Sequence, residues 1–301
     1  MKNVNAIIFV LLIILAIFLA GCSRNAEQDV EAILDSELLA AHGIAISVPD
    51  SPYYKFMGRD DLSVEIALQV LGEHGVYHFE SGGWTDVLIA DIVLSSEDGI
   101  SFAKDFLGIE VNKPLSFVFN VSKPNTDHPL AMWGGGGVFD TTTYISMETK
   151  LLPSLVIHEA VHAILRYDKR ISNFPYPPES SGWAYAMFLE EGLSDMIDFL
   201  FARQTDIPYR TNYGNNSLHT AARRVLNRFN HFSDETEFGV RYPQLMSYET
   251  SASFIYFLLE YRGGIDDFMR VFDDIYLMET VYGKSMEDMI AEWLEYLDRN
   301  W

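Results

Sequence analysis

The spacing of apolar positions changes several times along the chain, and each change marks a different kind of element. Residues 6–20 are an unbroken apolar stretch. Residues 30–75 are mixed, with helical spacing near 30–41 and 61–71 and Pro49, Pro52 and Gly58 punctuating the interval. The segments 87–94 (VLIADIVL) and 115–121 (LSFVFNV) are apolar or alternating and predict strands, with a helical segment at 97–107 between them. Residues 133–139 (WGGGGVF) predict a glycine loop. It leads into a strand at 141–147 (TTTYISM), expected at a sheet edge, where an extended peptide can pair with it. Beyond residue 150 the chain reads as helix almost throughout, at 152–167, 183–203, 216–229, 249–262, 265–278 and 285–299. Pro153 stands at the start of the first of these and Gly263-Gly264 end the fourth.

The expected fold class is therefore α+β, a small N-terminal α/β sheet layer packed on a mainly helical half. The expected divisions are a leader at 1–21, a tether and N-terminal segment at 22–60, a sheet subdomain at 61–150 and a helical subdomain at 151–301. With 49% of its 301 residues apolar, the chain can bury a sizeable core and is globular rather than disordered. A formal charge of −22 argues against nucleic acid as a partner, because no cluster of Lys and Arg is available to displace counterions from phosphates. The same acidity argues against docking on anionic lipid through a basic patch.

The leader bears on location. Lys2 precedes the 15 apolar residues 6–20, a stretch shorter than the roughly 20 residues a membrane-spanning helix needs. It fits the apolar region of a secretory signal. The stretch ends in Leu19-Ala20-Gly21-Cys22, which resembles the lipobox of bacterial lipoproteins. That resemblance implies cleavage before Cys22, a diacylglycerol on its thiol, and an extracytoplasmic body tethered to a bacterial membrane. Ser23 after the cysteine is compatible with sorting to an outer membrane in a Gram-negative cell. The alternative is an uncleaved anchor helix with an incidental cysteine. Cys22 is the sole cysteine, so no internal disulfide forms.

The chemistry centres on His158-Glu159-Ala160-Val161-His162, an H-E-x-x-H on a predicted helix. Imidazoles at i and i+4 lie one turn apart on one face, where both can reach a single tetrahedral Zn²⁺. Glu159 projects beside them, positioned to take a proton from an attacking water. A catalytic zinc needs a third protein ligand, and Phe188-Leu189-Glu190-Glu191-Gly192-Leu193-Ser194-Asp195 offers carboxylates on an apolar, hence buried, helix. Glu191 and Asp195 share a face at i and i+4. One can ligate the metal while the other accepts the free N–H of a histidine. The alternative is an acidic solvated helix face.

These motifs resemble the gluzincin metallopeptidases, the group containing thermolysin and the aminopeptidase N family. Glu191-Gly192-Leu193-Ser194-Asp195 is similar to their E-x-x-x-D helix, and Glu191-Gly192-Leu193 to the N-E-G-F-A segment of the aminopeptidases. The resemblance implies a zincin-type helical half, Glu191 as the third zinc ligand and Asp195 as the partner of a zinc histidine. Tyr248-Glu249-Thr250-Ser251 resembles the Y-E-K-G segment, implying that Tyr248 stabilises the oxyanion. Competing readings make Tyr248 a core aromatic, or give the oxyanion to His219 or His231. Tyr282-Gly283-Lys284-Ser285 with Glu292-Trp293 looks like the closing segment of the wider clan, so the resemblance spans about residues 130–301.

Two departures stand out. The gap from His162 to Glu191 holds 28 residues, against roughly 20 in the usual pattern, and the excess falls in a proline-bearing loop at 169–181. Residues 133–139 occupy the place of the aminopeptidases' G-A-M-E-N motif but lack its glutamate, so aminopeptidase specificity is not implied. The expected function is zinc-dependent hydrolysis of a peptide or protein substrate by a membrane-tethered lipoprotein. The alternatives are an inactive peptidase-fold scaffold and an envelope lipoprotein with a fortuitous H-E-x-x-H.

Overall fold

A computed structural model describes residues 39–40, 44–47, 49, 51, 53–55, 63–80, 84–120, 136–139, 142–146, 152–168, 181–205, 217–228 and 247–301. The leader at 1–21, Cys22, most of the 22–60 segment, the start of the glycine loop, the proline-bearing loop and His231 lie outside the described residues. No helix among the described residues is long and apolar enough to cross a membrane.

The chain is α+β. Its strands are β1 (Ala45–Ser47), β2 (Tyr53–Lys55), β3 (Ser63–Leu71), β4 (Gly75–Glu80), β5 (Leu115–Asn120), β6 (Gly136–Phe139) and β7 (Thr142–Ser146), in spatial order β1-β3-β4-β5-β7-β6 with β2 also pairing β3. The β3–β4 and β6–β7 pairs are antiparallel, while β4–β5 and β5–β7 are parallel. The parallel β4–β5 pair requires a crossover, supplied by α1 (Asp86–Leu107).

Two local expectations reverse. Residues 61–71, read as helical, form β3: Val64, Ile66 and Val70 are buried at even spacing while Glu65 and Ala67 are exposed, a period of two. Residues 87–94, read as a strand, are the first turns of α1. Thr85 accepts a hydrogen bond from the Leu88 amide at 3.3 Å, and the helix runs on to Gly108, whose φ of 64° suits a residue without a Cβ. Ile89, Ile92, Val93, Ser96, Ile100, Ala103 and Leu107 are buried along one face at helical spacing, with Ala90 and Gly99 buried at its flank. The apolar run there is the inner face of a helix plus its flank. Glu97 on α1 then ties helix to sheet, accepting from the His74 amide (2.8 Å), the Gly75 amide (2.9 Å) and the Tyr77 hydroxyl (2.6 Å).

A third reversal concerns the edge. Strand β7 lies between β5 and β6, so it is not an edge strand; the glycine-bearing β6 is the outer one on that side among the described residues. Part of the expected glycine loop is thus itself a strand, the glycines being compatible with extended backbone.

The helical half comprises α2 (Leu152–Tyr167), α3 (Ser181–Thr205), α4 (Leu218–Arg228), α5 (Tyr248–Tyr261), α6 (Ile265–Asp273), a 3₁₀ turn (Ile275–Leu277), α7 (Met278–Tyr282) and α8 (Met286–Asn300). The expected helix at 265–278 is therefore broken at Asp274, whose carboxylate accepts from the Tyr276 amide and restarts the chain as a turn. Helix α2 packs against α1, α3 and the β5–β7 side of the sheet, and α3 in turn packs against α5. Every residue of α2 from Leu155 to Leu165 is buried, so its two histidines and its glutamate sit in the wall between sheet and helices.

Candidate metal centre

The histidines of α2 and the carboxylates of α3 meet. His158 Nε2 and His162 Nε2 are 3.2 Å apart, and Glu191 Oε2 lies 3.3 Å from the first and 3.5 Å from the second. These three side chains are the one cluster of metal-donor type among the described residues. A tetrahedral zinc with donors at about 2.0–2.2 Å holds those donors about 3.3–3.6 Å apart, so the triangle has the dimensions the ion requires. Glu191 Oε2 is also buried and faces the same two ring nitrogens, where a cation between the three donors would satisfy it. The residues present therefore fit zinc.

The remaining ring nitrogens face carboxylates. His162 Nδ1 lies 2.6 Å from Glu190 Oε1, and His158 Nδ1 lies 3.6 Å from Asp195 Oδ1. Glu190 and Asp195 are 3% and 0% exposed, so both arrangements are shielded from water. An Nδ1–H donated to a carboxylate leaves Nε2 with its lone pair directed at the triangle, the tautomer a metal ligand must have. Asp195 stands beside His158. Glu190 was not singled out from the sequence, although it forms the shorter contact. Helical geometry explains it: Glu190 and Glu191 point about 100° apart, so one reaches the Nε2 side of the histidine pair and the other the Nδ1 side of His162. The signal was the doubled glutamate itself.

Electrostatics follow from this packing. Burial works against charge on His162, but its hydrogen bonds to Glu190 and Glu191 prevail and raise its pKa to about 10. Burial likewise opposes the charge on Glu191, and the hydrogen bonds to His158 and His162 overcome it, holding the carboxyl well below its usual range. The metal-free protein thus carries a proton on His162 at neutral pH, and a metal binds only once that proton leaves. Zinc binding at pH 7.5 is expected to release about one proton from His162, and apparent affinity is expected to rise about tenfold per pH unit below pH 10. Calorimetric titration in two buffers of different ionisation enthalpy counts that proton; zero release would contradict the linkage. The sign for stability is separate. His162, raised from 6.5, stabilises the metal-free fold fully below pH 6.5 and progressively less up to about 10. Glu191, lowered from 4.5, stabilises above pH 4.5 and less as pH falls.

Glu159 is 6% exposed on α2 beside His158. Tyr248 opens α5 with its ring centroid 5.5 Å from that of His158 at 80°, and it is 43% exposed, so the core-aromatic reading does not hold. His219 lies elsewhere: its Nδ1 is 2.8 Å from Ser253 Oγ, and its ring packs among Tyr256, Tyr296 and Trp301. Burial pushes its pKa down to about 4, so at neutral pH it carries no charge to offer an oxyanion.

No family model matches the chain, and no curated protein does. Among solved structures, the M1 zinc metallopeptidase from Deinococcus radiodurans is 12% identical with a TM-score of 0.44, over 83% of this chain and 60% of that one. A point mutant of that enzyme gives the same figures. A two-domain M1 zinc metallopeptidase mutant bound to L-arginine gives 12% and 0.40, over 85% and 60%. The chain spans 60% of the length of these matches, and the fit is too loose for their chemistry to stand for its own.

Proposed function

We propose that this chain is a zinc-dependent metallopeptidase, tethered outside the cytoplasm by a lipid on Cys22. The observation that carries the catalytic reading is the triangle of His158 Nε2, His162 Nε2 and Glu191 Oε2, with edges of 3.2–3.5 Å, next to a buried Glu159. Three protein ligands are what a catalytic zinc site has, leaving the fourth position for water or substrate. A zinc ion held there would supply Lewis acidity to a water and to the scissile carbonyl.

The chain's own residues do the rest. Glu159 accepts the proton of the attacking water and passes it to the departing amine. The Tyr248 hydroxyl donates a hydrogen bond to the oxygen of the tetrahedral intermediate. Glu190 and Asp195 hold His162 and His158 in register. If an extended substrate adds to the sheet, the available strand is β6 rather than β7.

The test is zinc content and peptide cleavage by the soluble form beginning at Ser23. One zinc per chain and metal-dependent cleavage of a peptide library are expected. A folded, zinc-replete protein that holds no metal would remove the proposal, and one that holds zinc but cleaves nothing would favour the scaffold reading. The tether rests on Leu19-Ala20-Gly21-Cys22. Expression of the full chain with labelled palmitate in a bacterial host is expected to label the parent and not Cys22→Ser. Labelling of neither form would leave an uncleaved anchor as the better account.

A further inference from the structure

Gly192 follows Glu191 directly and is buried where α3 crosses α5. A Cβ built on it would lie 2.7 Å from the carbonyl carbon of Ser251, 2.8 Å from its oxygen and 2.9 Å from its Cβ. The first two contacts are helix backbone, which cannot rotate aside as a flexible side chain would. That backbone is itself embedded, since Thr250, Ser251, Ala252 and Ser253 are all buried. Any side chain at 192 therefore has to push the two helices apart.

The crossing has a functional address. On α3 it is one residue from the carboxylate at the metal triangle. On α5 it is three residues, one turn, from Tyr248, whose ring stands 5.5 Å from that of His158. The Tyr248 carbonyl accepts from the Ser251 hydroxyl at 3.1 Å, which ties the crossing to the first residue of α5, and the Tyr248 ring is 43% exposed. Its position over the site is set by where α5 begins, and that is set by how closely α5 approaches α3. Ser247 fixes the start, its side chain accepting from the Thr250 amide at 3.2 Å.

We infer that Gly192 is a positioning residue: by admitting the α5 backbone against α3, it holds the Tyr248 hydroxyl in register with the metal triangle. The inference rests on the role given to Tyr248 above, and it concerns distance rather than metal binding. His158 and His162 lie on α2, and Glu191 stays on α3, so moving α5 outward leaves the three donors together while drawing Tyr248 away.

The test uses the Ser23 form carrying 3-fluorotyrosine at position 248 alone, read by fluorine NMR through a zinc titration. In the parent, one equivalent of zinc is expected to shift the resonance. In Gly192→Ala the zinc-induced shift should fall to less than about half, while zinc affinity stays within about threefold. Ser251→Val crowds the same crossing from α5 and should act alike; Ser251→Ala deletes the same hydroxyl, which donates to the Ser247 and Tyr248 carbonyls, without the added bulk, and should reduce the shift less than Ser251→Val does. If Gly192→Ala does not fold, Ser251→Val carries the test.

In peptide cleavage, Gly192→Ala should lower kcat by about tenfold or more with KM within about twofold, since misplacement of about 1 Å can cost up to 10²-fold. In a Tyr248→Phe background the same substitution should cost less than about twofold, the coupling expected of residues that act through one another. An unaltered fluorine response, a parallel loss of zinc, or equal losses in both backgrounds would each overturn the inference. Absence of peptidase activity in the parent would sink the proposed function and leave the fluorine measurement to decide Gly192.

Discussion

Glu159→Gln is expected to retain one zinc per chain and to lose about 10²–10⁴-fold in kcat. The substitution keeps the volume and one carbonyl oxygen of a side chain that is 6% exposed in the buried stretch of α2 from Leu155 to Leu165, so packing of α2 is undisturbed. What it deletes is a group able to accept the water proton and return it to the amine. None of the three converging donors is Glu159, so metal content is the internal control. Zinc loss alongside activity would mean that Glu159 supports the triangle. Undiminished cleavage would remove it from the chemistry and would direct attention to a different base.

His162→Ala is expected to have the largest effect on the fold itself. His162 faces both Glu190 and Glu191, at 2.6 Å and 3.5 Å. Removing it takes one corner from the metal triangle and leaves Glu190, 3% exposed, as a buried carboxylate without its imidazole. Breaking a buried pair in this way costs about 3–5 kcal/mol, against a typical total stability of about 5–15 kcal/mol for a domain. Urea unfolding at pH 6, with chelator present, measures the cost without the metal's own contribution. The double variant His162→Ala/Glu190→Ala should recover part of the loss, because the stranded charge is gone, while zinc binding stays abolished. A double variant no more stable than the single one would show that the cost lies in the cavity rather than the charge.

Much of the site could be read without tertiary structure because its spacing is helical. His158 and His162 at i and i+4 must share a face of α2, whatever that helix packs against. The same rule put Glu191 and Asp195 on one face of α3, and α3 being apolar round its circumference marked it as buried. The motif resemblance points to Glu191 and is silent on Glu190, and only the placement of α2 beside α3 shows that the two adjacent carboxylates straddle the two nitrogens of His162. Tyr248 carried a motif resemblance, but its approach to His158 depends on the crossing at Gly192, 56 positions away in sequence.

The sheet was less legible. In 61–71 the residues Leu62, Val64, Ile66, Leu68 and Val70 alternate with a strand's period of two, blurred only by Ala67 and Leu71 at odd positions. In 87–94 a helix buried over a wide arc shows a continuous apolar run, which is also how an interior strand looks. The polar interval 95–99 (SSEDG) separates that run from the apolar positions up to residue 107, and only the structure shows one 22-residue helix passing through it. Strand order was not accessible at all, since pairing of β7 between β5 and β6 joins residues by contacts that no local pattern encodes.

By itself the sequence determined the α+β class, the principal helices after residue 150 and the donor chemistry on α2 and α3, because those follow from periodicities of a few residues. Tertiary structure alone decided that Glu190 faces His162, that β6 rather than β7 is outermost among the described strands, and that Tyr248 stands at the metal triangle while His219 does not. The physical reason is range: a helix face is set within one turn, whereas the distance between two helices is set by side chains, or their absence at Gly192, where the chain returns to meet itself.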